Sequence, residues 1–184
     1  MRYGLCMNYA MFDTAVGRCA LVWRGDKLTR VLLPSESDDA TRTSIKRRMA
    51  NAKETAAPAF VETIIAKIAR LCAGNTVSFE DAPLDRSGLE PLANRIYDIL
   101  LQVPFGETTT YGAIAEELGD KNLSRAVGAA MGANPFPIII PCHRVTGAGG
   151  KMGGFTAPGG AETKRRLLEI EGAFSAGKLP LFGG

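Results

Sequence analysis

The sequence predicts an α+β fold, a small strand-containing N-terminal unit followed by a mostly helical C-terminal one. Three observations predict it. Residues 9–33 carry β-leaning apolar runs around a glycine-containing turn, and from residue 89 onward apolar positions recur at helical spacing. Between them, residues 80–88 (EDAPLDRSG) combine Pro, Gly, Ser and charge, the composition of a linker. The boundary falls there and gives units 1–85 and 86–184, which suits a chain of 184 residues.

The elements follow in order. Arg18–Trp23 and Leu28–Leu33 flank the turn Arg24-Gly25-Asp26-Lys27 and read as a hairpin. Residues 38–52 are charged with sparse apolar positions, a solvated helix. Phe60, Ile64, Ile65, Ile68 and Cys72 place a stronger helix over 58–72, and Val77–Phe79 reads as a short strand. Leu92, Ile96, Ile99, Leu100 and Val103 define a helix over 89–103, ended by Pro104 and Gly106. Thr108, Thr109 and Thr110 offer N-cap oxygens to a short helix at Tyr111–Leu118, and Ser124 caps a third, from Arg125 to Ala133. Two short helices joined by a tight turn have the outline of a helix-turn-helix, and also of an ordinary helical hairpin. The run Phe136–Pro141 reads as a short rigid strand, 147–154 as a glycine-rich loop, and Glu162–Glu171 as the last helix.

Composition narrows the function. Apolar residues make up 46% and charged residues 22%, which excludes wholesale disorder. A formal charge of +3 permits nucleic acid as a partner without demanding it. Four cysteines without a CxxC pair point to reduced thiols in a cytoplasmic protein rather than a disulfide scaffold. No apolar run is long enough for a membrane span or a signal peptide. With a single histidine, His143, a Cys2His2 zinc site is impossible, and no metal is expected.

That histidine directly follows Cys142. A thiol becomes a nucleophile where its thiolate is favoured, as beside a proton-accepting imidazole. The imidazole in turn needs an acceptor on its other nitrogen, for which Glu171 or Glu169 on the final helix is available. Taken alone, a Cys-His pair is more often a buried small hydrophobe beside a surface histidine.

The surrounding text changes that balance. Residues 134–145 read Asn-Pro-Phe-Pro-Ile-Ile-Ile-Pro-Cys-His-Arg-Val. Upstream lie Val103-Pro104-Phe105-Gly106-Glu107, Thr110-Tyr111-Gly112 and Ser124-Arg125-Ala126-Val127-Gly128; Leu167-Leu168 and Glu171-Gly172 follow. In order and spacing, residues 92–172 resemble the O6-alkylguanine-DNA alkyltransferases (methylated-DNA–protein-cysteine methyltransferases). The resemblance implies a ribonuclease-H-like α/β N-terminal domain and a winged-helix/helix-turn-helix C-terminal domain. It implies stoichiometric, irreversible transfer of the alkyl group of O6-alkylguanine, and of O4-alkylthymine, from duplex DNA to Cys142.

By the same resemblance His143 accepts the thiol proton through a water, Glu171 orients the imidazole, Asn134 braces the cysteine segment and Tyr111 donates to guanine N3. Arg125, Ala126, Gly128, Ala129 and Thr110 would face DNA, with Arg125 filling the gap left by a flipped base. Met131, Val145, Phe155 and Thr156 would line the base pocket, and Arg144 would be structural. The stretch 154–160 is two residues longer than the family pattern, and Thr156 stands within it. No cofactor and no membrane partner are implied, and the default is a monomer. The small residues of the third helix suit a protein that must ignore sequence, with modest affinity and a shallow salt slope. Two alternatives stand beside this: an alkyltransferase-like protein that binds damage without transfer, and a cysteine hydrolase. The basic triplets Lys46-Arg47-Arg48 and Lys164-Arg165-Arg166 read as solvated helix faces.

Overall fold

The computed structural model describes residues 6–173, so the outermost ends of the two expected units lie outside the described residues. The first half is a four-stranded mixed sheet of order β3-β2-β1-β4. Strands β1 (Met7–Thr14), β2 (Gly17–Arg24) and β3 (Lys27–Leu32) form an antiparallel meander, and the two-residue β4 (Lys53–Glu54) pairs parallel with β1. The predicted hairpin is β2–β3, closed over Gly25, whose φ of 60° suits the tight turn.

Central strand β2 is covered on both faces, which explains why its sequence is an unbroken apolar run rather than an alternation. Cys19, Leu21 and Trp23 pack into the main core with Val61, Ile64 and Ile68 of α2 (Ala59–Cys72). Ala20 and Val22 pack on the opposite face with Tyr9 and with Ile45 of α1 (Asp38–Arg48).

The second half is helical. Helix α3 (Pro91–Leu101) starts later than the apolar spacing suggested because Pro91 sits in its first turn, where a missing N–H is harmless. Helices α4 (Tyr111–Glu117) and α5 (Ser124–Ala133), joined by a 3₁₀ turn at Lys121–Leu123, form the helix-turn-helix. Strands β5 (Thr109–Thr110) and β6 (Val145–Thr146) pair beside it, and α6 (Gly160–Ile170) closes the described chain. The fold is α+β, as predicted. One hydrophobic cluster runs from Leu21 and Val31 through Ile96 and Tyr97 to Phe136 and Ile140, so both halves share a core.

Four expectations are corrected. Val77–Phe79 makes no strand; Phe79 is held by core burial without a ladder. Residues 80–88 are not a free linker, since Leu28 N–H donates to Pro83 O (2.8 Å) and Asp85 N–H to Leu28 O (2.7 Å), docking the segment on the β3 edge. Ser124 is the first helical residue rather than a cap, its hydroxyl donating to Lys121 O (3.0 Å). Phe136–Ile140 is a turn rather than a strand, because Pro135 and Pro137 lack N–H groups for a ladder and Ile138 takes a left-handed φ of 73°. For a β-branched residue that conformation is strained. Burial of the Ile138 side chain offsets it.

Candidate active site

Cys142, His143 and Arg144 form one 3₁₀ turn directly after Pro141. At three residues per turn their side chains diverge by about 120°. The turn therefore sends adjacent residues into three different environments, all of them buried.

The thiol of Cys142 lies where two cavities meet. One, of about 230 Å³, is lined by Tyr111, Gly128, Met131, Gly154, Phe155 and Thr156. The other, of about 160 Å³, runs from Cys142 past Pro137 to β3 and α1. Both far exceed the ~15 Å³ that one water needs.

His143 points at α6, where Nε2 and Glu171 Oε1 are 2.8 Å apart. Glu171 is the better supplied of the two candidate acids. It accepts Arg144 Nε at 2.8 Å, Arg144 Nη2 at 2.9 Å and the Gly106 N–H at 3.3 Å. Burial alone would raise its pKa, but the bonds from His143 and Arg144 outweigh that and bring the carboxyl down to about 2. A carboxylate fixed in this state accepts, so Nε2 carries the imidazole hydrogen. Nδ1, buried and without a partner among protein atoms, keeps its lone pair. Burial pushes the His143 pKa down, against the pull of Glu171. The ring is thus neutral and ready to accept a proton at Nδ1. Glu169 instead lies on the surface and pairs with Arg165. Gly106 is required where it stands, since a Cβ there would come within 2.8 Å of Glu171 O at a φ of 79°.

Burial raises the Cys142 pKa, opposed by the Asn134 amide and the Lys164 ammonium. Among the described residues no direct hydrogen bond joins the thiol to the imidazole. Asn134 staples the intervening turn, its Nδ2 donating to Ile140 O (2.9 Å) and its Oδ1 accepting from Phe136 N–H (2.9 Å).

Tyr111 opens α4, whose N-cap is Thr110, with Oγ1 accepting the Ala113 N–H at 3.0 Å. Burial, then the nearby Cys142 charge, raise the Tyr111 pKa, so the phenol stays a donor at neutral pH. Gly153 lies against its ring; a Cβ there would stand 2.8 Å from both Cε2 and the hydroxyl. Gly153→Ala is therefore expected to displace Tyr111 and slow the site's reaction about tenfold or more with little loss of stability, which rate and melting measurements on one sample would separate.

On α5, Val127, Ala130 and Met131 face the core while Arg125, Ala129, Gly132 and Ala133 are exposed along one side. Ala126 and Gly128 are half-buried between them. Phe155 and Thr156 line both cavities, Thr156 donating to Gly132 O at 3.0 Å. Val145, expected to line the pocket, is fully buried and lines neither cavity. Its carbonyl accepts Lys164 Nζ at 2.6 Å.

Lys164 corrects the reading of its triplet as a solvated face, since it is completely buried, with a pKa that burial pushes down to about 8. Tyr97 was also missed. Its hydroxyl donates to Ala130 O (2.7 Å), bracing α5 behind Cys142, and burial followed by the Cys142 charge pushes its pKa up to about 12. Neither carries a local signal: Tyr97 is one more apolar position in a helical pattern, and Lys164 is one member of a basic triplet.

The arrangement defines a class of protein, one with a nucleophile-type cysteine adjacent in the chain to a buried histidine–glutamate pair, on a turn that shares a cavity with the second helix of a helix-turn-helix. Comparison with known proteins is specific. Residues 91–173 match the family described as 6-O-methylguanine DNA methyltransferase, DNA binding domain. A Mycobacterium bovis protein named methylated-DNA–protein-cysteine methyltransferase is 35% identical over 176 residues, 96% of this chain and 99% of its own length. A Thermus thermophilus protein named DNA base-flipping protein is 48% identical over 102 residues, 55% of this chain and 66% of its own. The crystal structure of Mycobacterium tuberculosis OGT in complex with DNA superposes with a TM-score of 0.72 at 33% identity, covering 90% of this chain and 93% of that one. The chain belongs to the methylated-DNA–protein-cysteine methyltransferase family.

Proposed function

We propose that this protein repairs duplex DNA by moving the alkyl group of O6-alkylguanine, and of O4-alkylthymine, onto Cys142, one group per molecule. The observation that carries the reading is the position of the thiol, at the junction of two cavities and beside a histidine whose free nitrogen is selected by Glu171. The target carbon lies inside a duplex, so the nucleotide is flipped out to reach the sulfur. The exposed face of α5 is nearly free of base-reading side chains, which suits backbone contact without sequence preference. Arg125, exposed at its start, props open the gap.

Chemistry then follows from the residues. The thiol proton passes to Nδ1 of His143 through a bridging water. The thiolate attacks the alkyl carbon in line with O6, the S–C bond forms, and the C–O6 bond breaks with its electron pair going to the purine. The Tyr111 phenol meets that charge with a proton or hydrogen bond at N3. The product is a thioether with no leaving path, which ends activity.

Incubation with O6-methylguanine duplex is expected to add about 14 Da, one CH2, to the peptide containing Cys142. No gain, or gain on Cys6, Cys19 or Cys72, would sink the assignment. Cys142→Ala should bind the duplex and leave the lesion in place. Arg125→Ala should slow transfer from duplex about tenfold while leaving reaction with free O6-benzylguanine unchanged, because only the duplex has a gap to hold.

A second reading, damage binding without transfer, is favoured by the likeness to the base-flipping protein. The presence of Cys142 at the cavity junction argues against it.

A further inference from the structure

We propose that the cleft running from Cys142 to β3 and α1 is a subsite for the transferred group, and that it selects alkyl groups ending in a carboxylate. The inference rests on the transfer reading above and extends it to substrate class. In-line attack fixes the sulfur, the carbon and O6 on one axis. With the purine in the cavity that holds Tyr111, the remainder of the alkyl group enters the other space that Cys142 lines.

That space is cationic at its far end. Arg30 on β3 and Arg48 at the end of α1 both line it, together with the hydroxyl residues Ser35, Thr41 and Ser44. Several guanidinium groups elsewhere meet carboxylates, as in Arg24–Asp85 (2.7 Å), Arg42–Glu54 (2.9 Å) and Arg86–Asp98 (2.7 Å). Among the described residues Arg30 has no ion pair and no side-chain hydrogen bond, and Arg48 bonds only Ser44. Arg30 is half-buried, and burial together with the like charge of Arg48 lowers its pKa. Among the described residues no carboxyl side chain lines the cleft. Two cations sharing a partly desolvated space without an anion make a site for one. The site is also held in register with the thiol, because Val31 N–H donates to Pro135 O at 2.8 Å and ties β3 to the turn that carries Cys142.

For a carboxyalkyl group the step balances as for methyl. The thiol hydrogen ends on the guanine, the S–C bond replaces the C–O6 bond, and the carboxylate is unchanged.

Single-turnover rates on three kinds of duplex test the proposal: O6-methylguanine, O6-alkylguanines with a carboxylate one or three methylenes from O6, and size-matched neutral alkyl analogues. The ratio of carboxylated to neutral rates is expected to fall about tenfold in Arg30→Gln, and likewise in Arg48→Gln, whose exposed position on α1 keeps the test open if the first variant is unstable. A ratio unchanged in both variants for both chain lengths overturns the subsite and leaves methyl transfer standing. If the two cations instead serve a DNA phosphate, the variants will bind unmodified duplex more weakly with a shallower salt slope and slow every substrate equally, which also overturns it. No transfer by the wild type from any duplex overturns both the subsite and the transfer reading.

Discussion

Glu171→Gln is expected to lower conformational stability by about 3–5 kcal/mol and to remove most alkyl transfer, the largest stability effect of any single change at the site. The carboxylate is completely buried as a side chain and accepts from His143, from Arg144 twice and from Gly106 N–H. An amide keeps the shape but loses the charge that offsets buried Arg144. It also offers a donor where acceptors are needed, so either Arg144 or His143 loses its partner. Chemical denaturation of both proteins at pH 7 measures the first effect. The pH profile measures its origin. A carboxyl group whose folded pKa is depressed to about 2 adds stability that is present above its unfolded value of about 4.3 and is lost as pH falls toward 2. The wild type should show this acid slope and Glu171→Gln should not. A stability loss below about 1 kcal/mol would mean that Arg144 finds solvent or another partner, and that the ion pair is not what locks α6 to the Cys142 turn.

That lock explains what the sequence made legible and what it did not. The hairpin, α2, the helix-turn-helix and the last helix all announced themselves through local rules: a glycine turn, apolar periodicity, a threonine cap. Cys142 and His143 were legible because they are adjacent, whereas the residues left Glu171 and Glu169 both open and only the resemblance singled out Glu171. Lys164 was misjudged because a side chain's burial is a property of the assembled fold. A Lys-Arg-Arg triplet on an amphipathic helix has one member facing inward, and only the packing of α6 against Val145 decides which. Lys164 is held there by the Val145 carbonyl, and its ammonium opposes the burial of the thiol's charge. Phe136–Ile140 was misread for a related reason. Its β-branched run satisfies strand propensity, but the prolines on either side deny it a ladder, and Asn134 closes it as a turn. The cationic end of the cleft was invisible because it joins β3 to α1 across the fold.

The second large effect concerns how a buried thiol reacts at all. Burial holds Cys142 protonated at rest, which spares a single-use residue from stray electrophiles. Reaction then depends on moving the proton to His143 only when substrate is seated. His143→Gln is expected to slow transfer about 10²–10⁴-fold at pH 7, the usual contribution of a placed general base. Glutamine still donates to Glu171, so stability should change far less than rate. The pH dependence separates this role from a merely structural one. In the wild type burial lowers the His143 pKa, so the imidazole remains neutral below its ordinary value of about 6.5 and the rate should be flat from about pH 6 to 8. In His143→Gln the thiol must ionise unaided, and its raised pKa means that the rate should climb about tenfold per pH unit through that same range and beyond. A variant that is slow yet as flat as the wild type would assign the histidine to holding the turn and leave the proton's acceptor elsewhere.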